Sequence, residues 1–231
     1  MTLHKRNNLF YILVAFLGLI AIFMIFKSVK NSTDSCQILV NSAYGNPPGS
    51  SSQVIVVQSL GESKAQVTAC QRKGRSWQGS LIPTFPAVIG KGGIAPIGEK
   101  KEGDLKTPAG LYPLGEAFGT VPLSLKMDYK YITADDKFID DVTSNRYNTW
   151  VNGKTEAKSY EQMLIEPYKI GVIINYNMDP TIKGAGSAIF MHLWRSINVP
   201  TAGCVAMEKK NLMALLRWLD KKKHPYIYIT R

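Results

Sequence analysis

Apolar runs of strand length, each cut off by glycine, proline or serine, recur along most of this chain, and a single segment of the body carries a clear helical repeat. The runs at 53–58 (QVIVVQ), 65–71 (AQVTACQ), 85–89, 111–114, 169–175 (KIGVIIN) and 226–229 read as β-strands, as does a shorter one at 37–40. The segment 189–191 reads as the end of a further buried strand. The helical exception is 208–223, where Leu212, Leu215, Leu216 and Leu219 share one face. Glu208 starts it and Lys221, Lys222 and Lys223 end it, the polarity that a helix dipole favours, and Pro225 stops it. Residues 160–165 read as one helical turn, and the Tyr-, Asp- and Asn-rich stretch 127–150 as surface loops. Strands interleaved with turns and one main helix predict a mainly β domain.

A second feature divides the chain. Residues 9–26 contain no charge, and as a helix those eighteen residues span about 27 Å, close to the apolar thickness of a bilayer. The Ala-x-Ala-like site of a cleaved leader is missing after the run, so an uncleaved transmembrane anchor is favoured. The expected order is a cytoplasmic tail (1–8), an anchor (9–26), a tether (27–35) and a folded domain (36–231). That order predicts a single-pass protein of the inner, cytoplasmic membrane with its body in the periplasm or extracytoplasmic space. Lys and Arg number 28 against 17 Asp and Glu, and without Lys5 and Arg6 the balance is still 26 to 17, or +9. Such a surface suits carboxylate-bearing partners. Nucleic acid is not expected, for no basic helix or base-stacking motif accompanies the charge. Cys36 and Cys70 both lie on or beside predicted strands, and outside the cytosol they would form a disulfide or remain two thiols.

The chemistry concentrates in SAIFMHLWRSINVPTAGCVAM, residues 187–207. His192 would stand at the tip of a buried strand, twelve residues (204 − 192) ahead of Cys204, with a polar loop closed by Pro200 between them. Only a few per cent of an ordinary thiol is thiolate at pH 7, and a neighbouring imidazole that takes the proton makes it a nucleophile. Gly203 permits a sharp turn that brings its own N–H to whatever the sulfur attacks. The competing reading is a buried core thiol beside an unrelated histidine. His192 and Cys204 lack two further ligands at recognisable spacing, so no metal is predicted. The glycine cluster at 90–93 lacks the Gly-Lys-Ser/Thr ending of a phosphate loop, and no cofactor is predicted. The acidic pairs Asp135–Asp136 and Asp140–Asp141 lack a calcium-loop pattern.

The motif resembles the L,D-transpeptidase (YkuD-type) catalytic domain, whose signature is a histidine, a loop, then Ser/Thr-His-Gly-Cys. His192 matches the first histidine, Thr201 the Ser/Thr, Gly203 the glycine and Cys204 the nucleophile. Ala202 stands where the signature has its second histidine, and Ala206 where many members carry Arg or Asn. The run 90–119, with Lys101-x-Gly103-Asp104-x-x-Thr107-Pro108-x-Gly110, is similar to a divergent branch of the family, and the resemblance covers roughly 80–230. It implies two packed mixed β-sheets with a few helices, and acyl transfer on peptidoglycan stem peptides. Cys204 would be the nucleophile, His192 the general base and acid, and the N–H groups of Gly203 and Cys204 the oxyanion donors. The acceptor would be a stem amine or an attached protein. Hydrolysis by an L,D-carboxypeptidase at the same cysteine, and a non-catalytic wall-binding protein, are the alternatives. Tyr147, Asn148, Arg195 and Thr201 would bind substrate, with Lys91, Lys100, Lys106 and Arg195 as candidates to receive stem carboxylates.

Overall fold

The structure, a computed structural model, describes residues 35–39 and 47–231. In chain order its strands are β1 (Gln53–Gly61), β2 (Lys64–Lys73), β3 (Ser76–Gly79), β4 (Phe85–Val88), β5 (Ile94–Ala95), β6 (Thr107–Pro108), β7 (Gly110–Gly119) and β8 (Tyr129–Tyr131). There follow β9 (Asp136–Ile139), β10 (Trp150–Asn152), β11 (Tyr160–Gln162), β12 (Ile170–Ile174), β13 (Phe190–Leu193), β14 (Val205–Met207) and β15 (Tyr226–Thr230). The helix α1 (Lys209–Trp218) lies between β14 and β15. The mainly β expectation holds. The two expected sheets are joined, however, in one ten-stranded sheet of order β1-β15-β7-β12-β13-β14-β4-β2-β3, with β8 on β7. A further β1–β2 pairing closes the ladder on itself and leaves few exposed edges. Strands β1/β15 and β13/β14 are parallel and the other pairs around this ring antiparallel.

Side-chain alternation along β1 shows how the sheet is used on both faces. Ile55 and Val57 enter the main core, where Leu212, Leu215, Leu216 and Leu219 of the α1 segment are also buried. Val54 and Val56 point the other way, to a smaller cluster with Cys36, Cys70, Trp77 and Tyr228. A disulfide joins Cys36 to Cys70, with Cα atoms 5.7 Å apart, settling the alternative that the sequence left open. It also explains why 37–40 is no strand as far as it is described. Ser35–Gln37 is helical and residues 38–39 form a turn, because this segment lies over the outer face of β2 and is fixed there by its sulfur.

The helix is shorter than its apolar repeat. Leu219 is already extended (ψ 141°), and Asp220 accepts a hydrogen bond from the Lys222 N–H to cap a separate 3-10 turn, Lys221–Lys223. A backbone bridge from Asp220 to Lys126 replaces helical pairing there. Residues 160–165 are no helical turn either. Strand β11 pairs with β9, and a 3-10 turn at Glu166–Tyr168 follows, with Pro167 in its first positions. The supposed surface loops of 127–150 contain β8, β9 and the first residue of β10, and β9 is the central strand of a three-stranded sheet, β10-β9-β11. Asp136 organises it: its carboxylate is buried and accepts from Trp150 Nε1 (2.7 Å), Asn152 Nδ2 (3.0 Å) and both the N–H and hydroxyl of Thr133 (2.7 and 2.8 Å).

A third cluster, rich in rings, covers the outer side of β7, β12 and β13. Phe118, Phe138, Tyr168 and Phe190 pack edge to face, with centroids 5.0–6.2 Å apart. Gly171 makes this possible, since a Cβ there would lie 2.3 Å from Phe118 Cζ and 2.7 Å from the Met191 carbonyl. Cys204 belongs to this aromatic cluster and not to the main core. No helix among the described residues is long and apolar enough to cross a membrane, and the predicted anchor at 9–26 lies outside them.

Candidate active site

Strand β13 is central in the sheet, with antiparallel β12 on one side (Gly171 opposite His192) and parallel β14 on the other (His192 opposite Ala206). Met191 points into the main core, so Phe190 and His192 emerge together on the aromatic face. The parallel β13–β14 pairing requires the chain to cross back between them, and that return ends in the turn carrying Cys204, one residue before β14. Strand pairing therefore brings two residues twelve apart in sequence to the wall of one cavity. Both side chains line one cavity of about 440 Å³.

His192 is 7% exposed. Its Nδ1 lies 2.9 Å from the Leu193 carbonyl oxygen, so Nδ1 carries the hydrogen and Nε2 holds the lone pair that accepts a proton. Burial, with help from the positive charge of Arg195, pushes its pKa down to about 4, against the opposing pull of the Leu193 carbonyl. The imidazole is neutral at pH 7. Cys204 is 6% exposed. Its sulfur accepts from the Phe190 N–H and donates to the Ala188 carbonyl, both at 3.3 Å. Burial first, then the negative charge of Glu161, pushes the thiol far above its ordinary value, while the Phe190 N–H and Lys100 oppose them. The cavity therefore holds a neutral thiol and a neutral imidazole, and the thiol proton faces a backbone carbonyl.

Thr201 and Gly203 shape the turn that carries the sulfur. The Thr201 hydroxyl donates to the Cys204 carbonyl (2.6 Å) and accepts from the Gly203 N–H (3.1 Å). Its backbone is held between Ile89 and Lys91, N–H to the Ile89 carbonyl at 3.0 Å and carbonyl from the Lys91 N–H at 2.9 Å. Thr201 lines the cavity, but with its hydroxyl spent on the turn. Gly203 has φ +154°, and a Cβ on it would sit 3.0 Å from the Lys106 carbonyl oxygen, so the turn and the 100–108 loop need a glycine at their contact. The Gly203 N–H is engaged by Thr201, which leaves the Cys204 N–H as the oxyanion donor this turn offers.

The upstream loop is built around Asp104. Its carboxylate accepts from Lys100 Nζ (2.6 Å), Lys101 N–H (2.9 Å) and Lys106 N–H (2.8 Å). Burial alone would raise its pKa, but these bonds outweigh it and hold the carboxyl below its usual value. The Thr107 hydroxyl then reaches the Cys204 carbonyl at 3.5 Å. Lys100 and Arg195 line the cavity, whereas Lys91 and Lys106 do not. Lys100 is committed to Asp104, and Arg195 is exposed.

Tyr147 and Asn148, expected along the groove, are each 2% exposed and do not line the cavity. Tyr147 donates its hydroxyl proton to Glu102 and accepts from the Gly186 N–H. Asn148 donates to the carbonyls of Tyr176 (3.0 Å) and Asn177 (2.7 Å) and accepts from the Ala188 N–H (3.1 Å). Both therefore brace the segment leading into β13, because the β9–β10 connection folds back beneath it.

Sequence reasoning missed Glu161 and Tyr168, which line the cavity beside His192 and Cys204. The available signal was Glu166-Pro167-Tyr168 directly before a strongly apolar strand, which places an aromatic side chain at that strand's end. Among the described residues no group of His, Cys, Asp and Glu side chains is arranged to hold a metal ion.

The family model that matches is YkuD, the L,D-transpeptidase catalytic domain, over residues 53–227, beginning at β1 and so well before the Gly- and Lys-rich run. No curated protein and no solved structure matches the chain.

Proposed function

The chain belongs to the YkuD family of L,D-transpeptidase catalytic domains, and on that premise we propose that it is a peptidoglycan L,D-transpeptidase acting through Cys204. The observation that carries this reading is the common cavity of Cys204 and His192, with the imidazole in the tautomer whose Nε2 accepts a proton. In the resting state the sulfur proton is given to Ala188, so activation requires rotation of the thiol toward the imidazole. Substrate entering the cavity supplies the reason to rotate, since the sulfur must reach the scissile carbonyl.

Sulfur then bonds to the carbonyl carbon at the L-centre of a diaminopimelate-type residue, while His192 takes the thiol proton. The Cys204 N–H stabilises the oxyanion, an interaction worth about 3 kcal/mol for a well-placed donor. Collapse breaks the C–N bond, and the departing D-residue amine leaves with the proton from His192. An acceptor amine, from a second stem or an attached protein, attacks the thioester and gives its proton to His192. The sulfur is released and takes that proton back. Arg195, at the open edge, is suited to a stem carboxylate. The Cys36–Cys70 disulfide supports an extracytoplasmic domain, and residues 9–26 would anchor it to the inner membrane.

Intact-protein mass spectrometry after exposure to a carbapenem tests the nucleophile: wild type gains the mass of one drug and Cys204→Ser does not. Incubation with tetrapeptide sacculi tests the reaction. Cross-linked dimers support transpeptidation, and trimmed tripeptides alone replace it with hydrolysis by the same cysteine. Absence of adduct and of both products would overturn the assignment.

A further inference from the structure

The chemistry above uses His192 and Cys204 but leaves idle two side chains that adjoin them. Tyr168 ends the 3-10 turn Glu166–Tyr168, and its ring meets the His192 imidazole edge to face, centroids 5.1 Å apart at 81°. The same ring packs against Phe190 at 5.4 Å and 89°, so it is wedged between the base and the residue whose N–H holds the sulfur. The Tyr168 hydroxyl donates to the Glu161 carboxylate. Glu161 belongs to β11, outside the main sheet, and its register opposite Phe138 fixes it at the cavity wall.

An imidazole held at Nδ1 by one carbonyl is free to swing about that bond, and a ring packed against it removes the freedom. Tyr168 supplies that ring. Ala202 presents only a methyl group to the cavity, and Glu161 of β11 and Tyr168 of the 3-10 turn bring polar groups to it from two other elements. We propose that Tyr168 and Glu161 are positioning residues of this site: the ring fixes the imidazole of His192, and the carboxylate bonded to the Tyr168 hydroxyl fixes the ring. The same carboxylate lines the cavity wall that holds the Cys204 sulfur. The inference rests on the roles given to Cys204 and His192 above.

The charges facing the sulfur are consistent with it. Glu161 acts against the thiolate, while Lys100 favours it but is tied to Asp104 at 2.6 Å. The carboxyl of Glu161 is raised first by burial and then by Asp140 and Glu102, and the Tyr168 hydroxyl counters them. Arg195 is the remaining charged side chain lining the cavity, exposed at its edge.

Alkylation of the full-length protein by iodoacetamide, followed by intact mass across pH 6 to 10, reads this directly. Cys36 and Cys70 are bonded to each other, so Cys204 is the thiol that reacts. Glu161→Gln retains an acceptor for the Tyr168 hydroxyl but loses the charge. Because burial holds the thiol far above its ordinary value, pH 6 to 10 lies on the rising limb of the profile, and loss of the charge is expected to raise the rate about 3- to 10-fold throughout it. Tyr168→Phe keeps the ring against His192 but unties it from Glu161, so acylation by a carbapenem, which uses His192 as base, should fall about 10-fold while alkylation by iodoacetamide does not fall. Tyr168→Phe is nearly isosteric and decides the matter if Glu161→Gln does not fold. An alkylation rate of Glu161→Gln and an acylation rate of Tyr168→Phe equal to those of wild type overturn the proposal. So does an equal fall in both reactions, which is what a purely structural role produces. Loss of the transpeptidase reading alone, through absent wall products, leaves this thiol profile untouched, so the two readings fail separately.

Discussion

Replacing His192 with glutamine should change how the stability of this protein depends on pH. Glutamine is neutral throughout, and its amide can still donate to the Leu193 carbonyl that now holds Nδ1. In the folded protein burial holds the imidazole pKa at about 4. In an unfolded chain it is about 6.5. Between those values the unfolded chain binds a proton that the folded one does not, so stability rises with pH. The contribution is fully present above about pH 6.5 and is lost as pH falls toward 4. A gap of about 2.5 units at about 1.4 kcal/mol each sets a ceiling of roughly 3 kcal/mol. At pH 4.5 about 2.5 kcal/mol of it has gone. Urea unfolding followed by tryptophan fluorescence at pH 7.5 and 4.5 measures this for both proteins. Wild type should lose about 2.5 kcal/mol more than His192→Gln between the two conditions. Equal losses would refute the picture of a buried, neutral imidazole at this site.

Three further outcomes follow from other parts of the fold. Cys36 and Cys70 are 34 residues apart in sequence, and on chain-entropy grounds breaking their bond should cost roughly 4 kcal/mol. Comparing urea midpoints of Cys204→Ser with and without a reductant checks this without interference from the third thiol, and an unchanged midpoint would contradict it. Gly203→Ala forces a side chain onto a backbone at φ +154°, 3.0 Å from the Lys106 carbonyl. The strain is about 1–3 kcal/mol and the displaced sulfur should lower acylation by a carbapenem about 100-fold or more, read as the rate of adduct formation. Asp136→Ala removes the acceptor shared by Trp150, Asn152 and Thr133 and should destabilise the protein by roughly 3 kcal/mol in thermal or urea unfolding. Burial alone would raise the carboxyl of Asp136, yet these bonds bring it down to about 2. Its stabilisation is therefore present above the ordinary carboxylate range and lost only as pH falls through about 2.

Much of the fold was legible because burial leaves a local mark. The runs at 53–58, 65–71 and 169–175 fall within or around β1, β2 and β12, where alternate or continuous apolar residues meet packed faces. Readings failed where a side chain far away in sequence overrides local preference. The leucine repeat outlasts α1 because the Lys221 N–H bonds to the Lys126 carbonyl and Asp220 caps a separate turn, and 160–162 is drawn into a strand by β9. Asp136 has the composition of a surface loop residue, and only its three partners make it an interior organiser.

What the sequence alone determined is which groups are candidates to react and the kind of turn that bears the sulfur. A histidine ahead of Gly-Cys is a covalent fact, and only glycine permits the backbone at 203. The tertiary structure decided which residues surround them. Parallel pairing of β13 with β14 brings Cys204 to the level of Phe190, and the small sheet delivers Glu161 to the cavity while the turn before β12 delivers Tyr168. It also withdrew Tyr147 and Asn148 into the brace beneath β13. The reason is physical: residue chemistry is carried by each side chain wherever it stands. Desolvation, charge and orientation are properties of neighbours, and those exist only once the chain has folded.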